Sequence, residues 1–157
     1  MLLELDSIPW ASLAQPAGND ASTVPNVIRA LAAAASTEDA QRAYNDFLYA
    51  VGSNHAGTYF PVVLHALPFL AEILRSGQPL AREAILDVLI DLVGSFEPDA
   101  AHEVITTESG APAFLSQLVF QCISDFVDVV QSMASHTSEH DRAHRLANEL
   151  LELLSEA

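Results

Sequence analysis

At 157 residues, half of them hydrophobic, the chain is long enough for one core, and its composition excludes a disordered, charge-rich segment. Against 21 aspartates and glutamates stand six basic residues, all arginine, for a formal net charge of −15. A nucleic-acid site would set phosphates against that field, so nucleic-acid binding is set aside, whereas cations and basic proteins are attracted. The same excess of acid also serves solubility.

Cys122 is the lone cysteine, so no internal disulfide is expected. With Phe120, Ile123 and Phe126 around it, it reads as a buried, inert thiol. The first residues, MLLELDSIPW, carry acids and no basic stretch, and the apolar runs are interrupted by Asp or Pro. No secretory signal or membrane span is expected, which places the protein in the cytoplasm.

In chain order, residues 1–23 form a cap or arm in which Trp10 and Leu13 can pack a short turn before Pro16, Gly18, Asn19 and Asp20 break it. Thr23 offers an N-cap ahead of Pro25, and Val24, Val27, Ile28, Leu31 and Ala35 then recur at helical spacing to about Ser36. Ser36 with Asp39 resembles a capping box for a second helix, whose apolar stripe is Ala40, Ala43, Tyr44, Phe47, Leu48 and Val51. Gly52 is expected to stop it as a C-terminal glycine.

Next comes Asn54 to Leu74, which the pattern makes the central helix. It is entered through Asn54 to Tyr59, with Gly57 and Thr58 bracketing the entry, is apolar all round from Val62 to Leu74, and should kink at Pro68 before ending near Gly77. Leu80 to Val93 is amphipathic, with Glu83, Asp87 and Asp91 spaced by four as an acidic ridge. Gly94 to Pro112 reads as a loop with a short helix over 99–105. A long helix over 112–133 and a last one from about Ser138 to Leu154 complete the chain. Alternating apolar and polar residues are nowhere sustained, so no strand is expected.

The fold class is therefore all-α, one domain over 1–157. Six main helices group into three hairpins, 24–51, 59–93 and 112–155, stacked as an α-solenoid or joined as a simple bundle.

Trp10, Leu13, Asp20, Ala21, Val24, Pro25, Ile28 and Leu31, followed by His55-Ala56-Gly57-Thr58-Tyr59, Pro61 and Ala66-Leu67-Pro68-Phe69-Leu70, resemble bacterial HEAT-like repeat proteins. The resemblance covers about the first half of the chain; the second half matches only in its helix pattern. It implies a non-catalytic binding scaffold without cofactors, in a group whose small members include immunity proteins that neutralise a partner toxin. The expected function is binding and neutralising a cognate protein toxin, a basic nuclease-type secreted effector. The alternative is a non-inhibitory adaptor that self-associates.

In such a stack the second helix of each hairpin lines the inner face. That would align Asp46, Glu83, Asp87, Asp91, Glu149 and Glu152 as a partner-binding surface, because an uncompensated row of like charges invites a basic partner. His136, His140 and His144 have a spacing that can suit a divalent metal, but no accompanying carboxylate signature, so no metal is assigned. His55 is expected to tie its turn to neighbouring backbone, and His65 to be a hydrogen-bonded core or groove residue. The absence of GxSxG, HExxH and CxxC motifs argues against an enzyme, leaving a His55-based or His136/His140/His144-based activity as the weakest reading.

Overall fold

A computed structural model describes residues 2–136 and 141–157, and among these the protein is mostly helical. Helix α1 (Thr23–Ala32) begins one residue earlier than expected. Thr23 lies inside it, and Asp20 caps the turn by accepting from the Ser22 N–H at 2.8 Å. In α2 (Thr37–Val51) Ser36 caps as the sequence indicates, its hydroxyl accepting from the Asp39 N–H at 3.0 Å. Phe47, Leu48 and Val51 on its apolar stripe are fully buried.

Gly52 ends α2 for a reason different from the expected one. Its φ of −179° is extended backbone, and it opens strand β1 (Gly52–Ser53), antiparallel to β2 (Thr58–Tyr59). A Cβ at Gly52 would lie 2.0 Å from the Thr58 carbonyl oxygen, so close approach of backbones demands the glycine. Gly57, at φ +70°, is the residue in this turn that uses left-handed freedom.

Thr58 and Tyr59, in the expected entry to the central helix, form a strand, and helix α3 runs from Val63 to Ser76. It continues through Pro68, whose ring is exposed. His65 and Arg75 are exposed as well, so α3 keeps an open face. The helix enclosed on nearly every side is α4 (Pro79–Gly94), of which only the first and last residues are exposed. Ile85, Leu86, Val88 and Leu89 are fully buried there, each contributing about 2 kcal/mol by leaving water.

The stretch after α4 departs most from the all-helical expectation. Strand β3 (Glu97–Pro98) pairs in parallel with β2, and the short helix expected over 99–105 is only a 3-10 turn, Ala100–His102, capped by Asp99. Strands β4 (Val104–Thr106) and β5 (Pro112–Phe114) then form an antiparallel hairpin. Val104, Ile105 and Thr106 are three consecutive β-branched residues, which suit a pleated strand better than a helical turn.

The expected long helix is two, α5 (Leu115–Ser124) and α6 (Val127–His136). At the break, the Phe126 N–H donates to the Ile123 carbonyl at 3.2 Å and the Phe126 ring is buried. No glycine or proline marks that break in the sequence. Asp141 caps the last helix, α7 (Arg142–Glu156), accepting from the Ala143 N–H at 2.9 Å.

Helices α2, α4 and α7 lie side by side with α4 in the middle. Across from them, α1 packs on α2, α3 on α4, and α6 on α7, while α3 also touches α1, α5 and α6. One continuous core joins these layers. The amino-terminal segment closes onto it: Trp10 is buried, donates from its indole N–H to the Leu5 carbonyl at 2.7 Å, and meets Phe69 at a ring separation of 6.2 Å. Among the described residues no helix is long and apolar enough to cross a membrane.

Candidate functional site: an acidic groove floored by the fourth helix

Glu83, Asp87 and Asp91 recur every fourth residue on α4, which places them along one face. That face lies between α2 and α7, the two neighbours of α4. A hollow of about 280 Å³ opens there, lined by Thr37, Gln41 and Tyr44 from α2, Glu83 and Asp87 from α4, and Arg142 from α7.

The acidic ridge was expected to be uncompensated, and it is not. Arg142 reaches Asp87 at 2.8 Å and Glu83 at 3.6 Å, so one guanidinium serves two carboxylates. From the opposite side, the Tyr44 hydroxyl donates to Asp91. The ridge therefore fastens α4 to both neighbours, and its side chains are half-buried. The hydrogen bond to Asp87 raises the Arg142 pKa further, opposed by burial and assisted by Glu83. Burial, and then the bond to Asp91, hold the Tyr44 phenol well above its ordinary value.

The other three expected contact residues remain open to solvent. Asp46 lies two residues beyond Tyr44 on the exposed side of α2. Glu149 follows Arg142 by about two turns, on the same face of α7, and Glu152 is three residues further on. Among the described residues none of the three takes part in an ion pair. The six residues thus separate into a braced floor, Glu83, Asp87 and Asp91, and three exposed acids: Glu149 and Glu152 on α7, and Asp46 on α2, which is two residues from Tyr44 and so turned to the side of α2 away from the hollow.

Tyr44 and Arg142 were missed in the sequence reading. Tyr44 was assigned to the apolar stripe of α2, where only its ring belongs. Arg142 did leave a signal: a cation in the first turn of a helix opposes the helix dipole and points to a carboxylate elsewhere in the fold.

Among the described residues the histidines form no common site. His55 is exposed, and its turn is tied instead by Ser53, which accepts from the Ala56 N–H through its hydroxyl at 3.1 Å and from the Gly57 N–H through its carbonyl at 2.9 Å. His65 is exposed on α3 and is neither core nor groove. His136 Nδ1 lies 2.9 Å from the Ser132 carbonyl, and His144 lies beside Asn148, whereas His140 is outside the described residues. Among the described residues no group of His, Cys, Asp and Glu has the arrangement of a metal site. Cys122 is half-buried, and burial, then Asp125, push its thiol pKa up, away from reactivity.

Comparison with family models, with curated proteins and with solved structures finds no match to this chain.

Tyr59, on β2, is fully buried, and burial followed by the Glu97 carboxylate pushes its phenol up to about 12. Above about pH 10 an unfolded chain releases tyrosine protons that folded Tyr44 and Tyr59 retain. The folded state then binds more protons, so stability is complete below pH 10 and declines as pH rises toward 12. Urea unfolding across that range should show the decline, and Tyr59→Phe should flatten it; an unchanged slope in the variant would rule out this assignment.

Proposed function

We propose that this protein is an immunity protein that binds and neutralises a cognate, basic protein toxin through the acidic groove between α2 and α7. The observation that carries the reading is the separation of the acids into two kinds. Glu83, Asp87 and Asp91 are held by Arg142 and Tyr44 along the groove, while Glu149 and Glu152 stand exposed on α7 and Asp46 on the outer side of α2. These exposed carboxylates are open to cations of a partner. In a nuclease-type toxin, such cations hold nucleic-acid phosphates, so occupying them masks the site by charge and by bulk.

The neighbour relations of the helices support a HEAT-like stack of three hairpins, α1–α2, α3–α4, and α5 and α6 with α7. In that arrangement α2, α4 and α7 form the inner layer and α4 has a neighbour on each side, which accounts for its near-complete enclosure. The reading requires no cofactor and no catalytic residue of the protein's own.

The contact test belongs on these exposed acids, because reversing Asp87 or Asp91 would disturb the floor and confound folding with binding. Calorimetry of a purified basic toxin with wild type and with Asp46→Arg/Glu149→Arg/Glu152→Arg should show affinity weakened about 100-fold or more, with rescue of toxin-expressing cells lost. The melting temperature of the variant should stay close to that of wild type. Equal affinity would remove these acids from the interface, and binding without rescue would instead make the protein a non-inhibitory adaptor.

A further inference from the structure

The hairpin β4–β5 carries an exposed apolar face and an open strand edge that the groove does not use. Register pairs Val104 with Phe114, Ile105 with Ala113, and Thr106 with Pro112. Alternation turns Ile105 and Ala113 to one face, and Ile105 packs against the core. Val104, Thr106, Pro112 and Phe114 share the other face, where Val104 is 52% and Phe114 49% exposed.

The hydrogen bonds show which backbone groups point outward. Leu115 donates to the Glu103 carbonyl at 3.0 Å and Thr107 to the Ala111 carbonyl at 2.9 Å. Val104–Phe114 and Thr106–Pro112 are therefore the non-hydrogen-bonded pairs, with their N–H and C=O groups directed away from the partner strand. On β5 that edge is interrupted by Pro112, which has no N–H, and the strand runs directly into α5. On β4, Val104 and Thr106 present both donor and acceptor, and among the described residues no further strand pairs there. Proteins blunt such an edge with proline, charge or shortness; β5 carries the proline, and β4, three residues long, does not.

We propose that β4 is a docking edge for an extended, basic segment of a protein partner, which adds as a third strand and rests apolar side chains against Val104 and Phe114. The charge of the occupant follows from the surroundings. Glu103 and Glu108 are exposed at the two ends of β4, and no lysine or arginine occurs between Arg82 and Arg142. A second copy of this chain, itself at −15, would bring like charge to the same edge. Main-chain bonds would supply affinity, and alternating arginine or lysine with apolar residues would supply the match. The inference rests on the proposed function only in taking the partner to be a basic protein.

The probe is a blocked peptide alternating arginine and valine, titrated into isotope-labelled full-length protein and followed by amide resonances. The Val104 and Thr106 amides should shift first and exchange with solvent about tenfold more slowly, as new hydrogen bonds form. A peptide methylated on alternate backbone nitrogens should bind about tenfold more weakly, and one with glutamate in place of arginine should not bind measurably. Phe114→Ala should weaken the first peptide several-fold while leaving resonances of the helical core in place. Equal binding of the methylated peptide, shifts centred outside residues 103–115, or self-association through the same amides without peptide would each overturn the proposal. Because no toxin is present, failure here leaves the toxin-binding test intact, and failure of the Asp46, Glu149 and Glu152 variants leaves this one intact.

Discussion

Replacing Gly52 by alanine is expected to lower stability by about 3 kcal/mol, and the melting temperature of a chain this size by about 6–12 °C. The new methyl group would stand 2.0 Å from the Thr58 carbonyl oxygen and 2.7 Å from the Tyr59 Cα. Both obstacles are backbone, so no side chain can swing aside. Relief requires β1 to part from β2, and β2 also pairs with β3 and carries the buried Tyr59. Gly18→Ala is the natural control, because a Cβ there meets nothing within 4 Å. Thermal unfolding followed by circular dichroism distinguishes the two; a Gly52→Ala protein melting with wild type would mean that the strands are not in close register.

Charge reversal at Arg142 is the second large effect. Arg142→Glu would leave Glu83, Asp87 and the new carboxylate together on the groove floor, where Glu83 is 18% and Asp87 29% exposed in their side chains. Breaking a fully buried pair costs 3–5 kcal/mol; with the arginine side chain 47% exposed, solvent screening reduces the expected loss to about 2 kcal/mol. Adding Asp87→Arg should recover roughly half of it, since the swapped charges face each other again. Denaturant unfolding of the single and double variants measures this coupling, and strictly additive losses would show that Arg142 does not act through Asp87. The pair thus makes Glu83 and Asp87 a matter of stability first.

Much of the helical framework was legible in the residues. The apolar spacing of α1, α2 and α4 and the Ser36 cap depend on contacts within a few turns of one helix, and the chain states these directly. The ridge Glu83, Asp87, Asp91 was visible for the same reason. Its role was not, because Arg142 and Tyr44 are distant in sequence and are brought to it only by packing. The hairpin was overlooked because three-residue strands are too short for alternation to register, although Val104-Ile105-Thr106 carried the β-branched signal. His65 was misplaced because the open side of α3 depends on which of its faces has a neighbour.

By itself, then, the sequence determined an acidic, predominantly helical domain with its main helices in order, since composition and periodicity are local properties. Only the tertiary structure decided that α4 rather than α3 is the enclosed helix, that Gly52 serves close strand approach, and that half of the acidic candidates are internally bound. Each of these depends on what stands across from a residue, and side-chain contacts between distant segments leave no periodic trace along the chain.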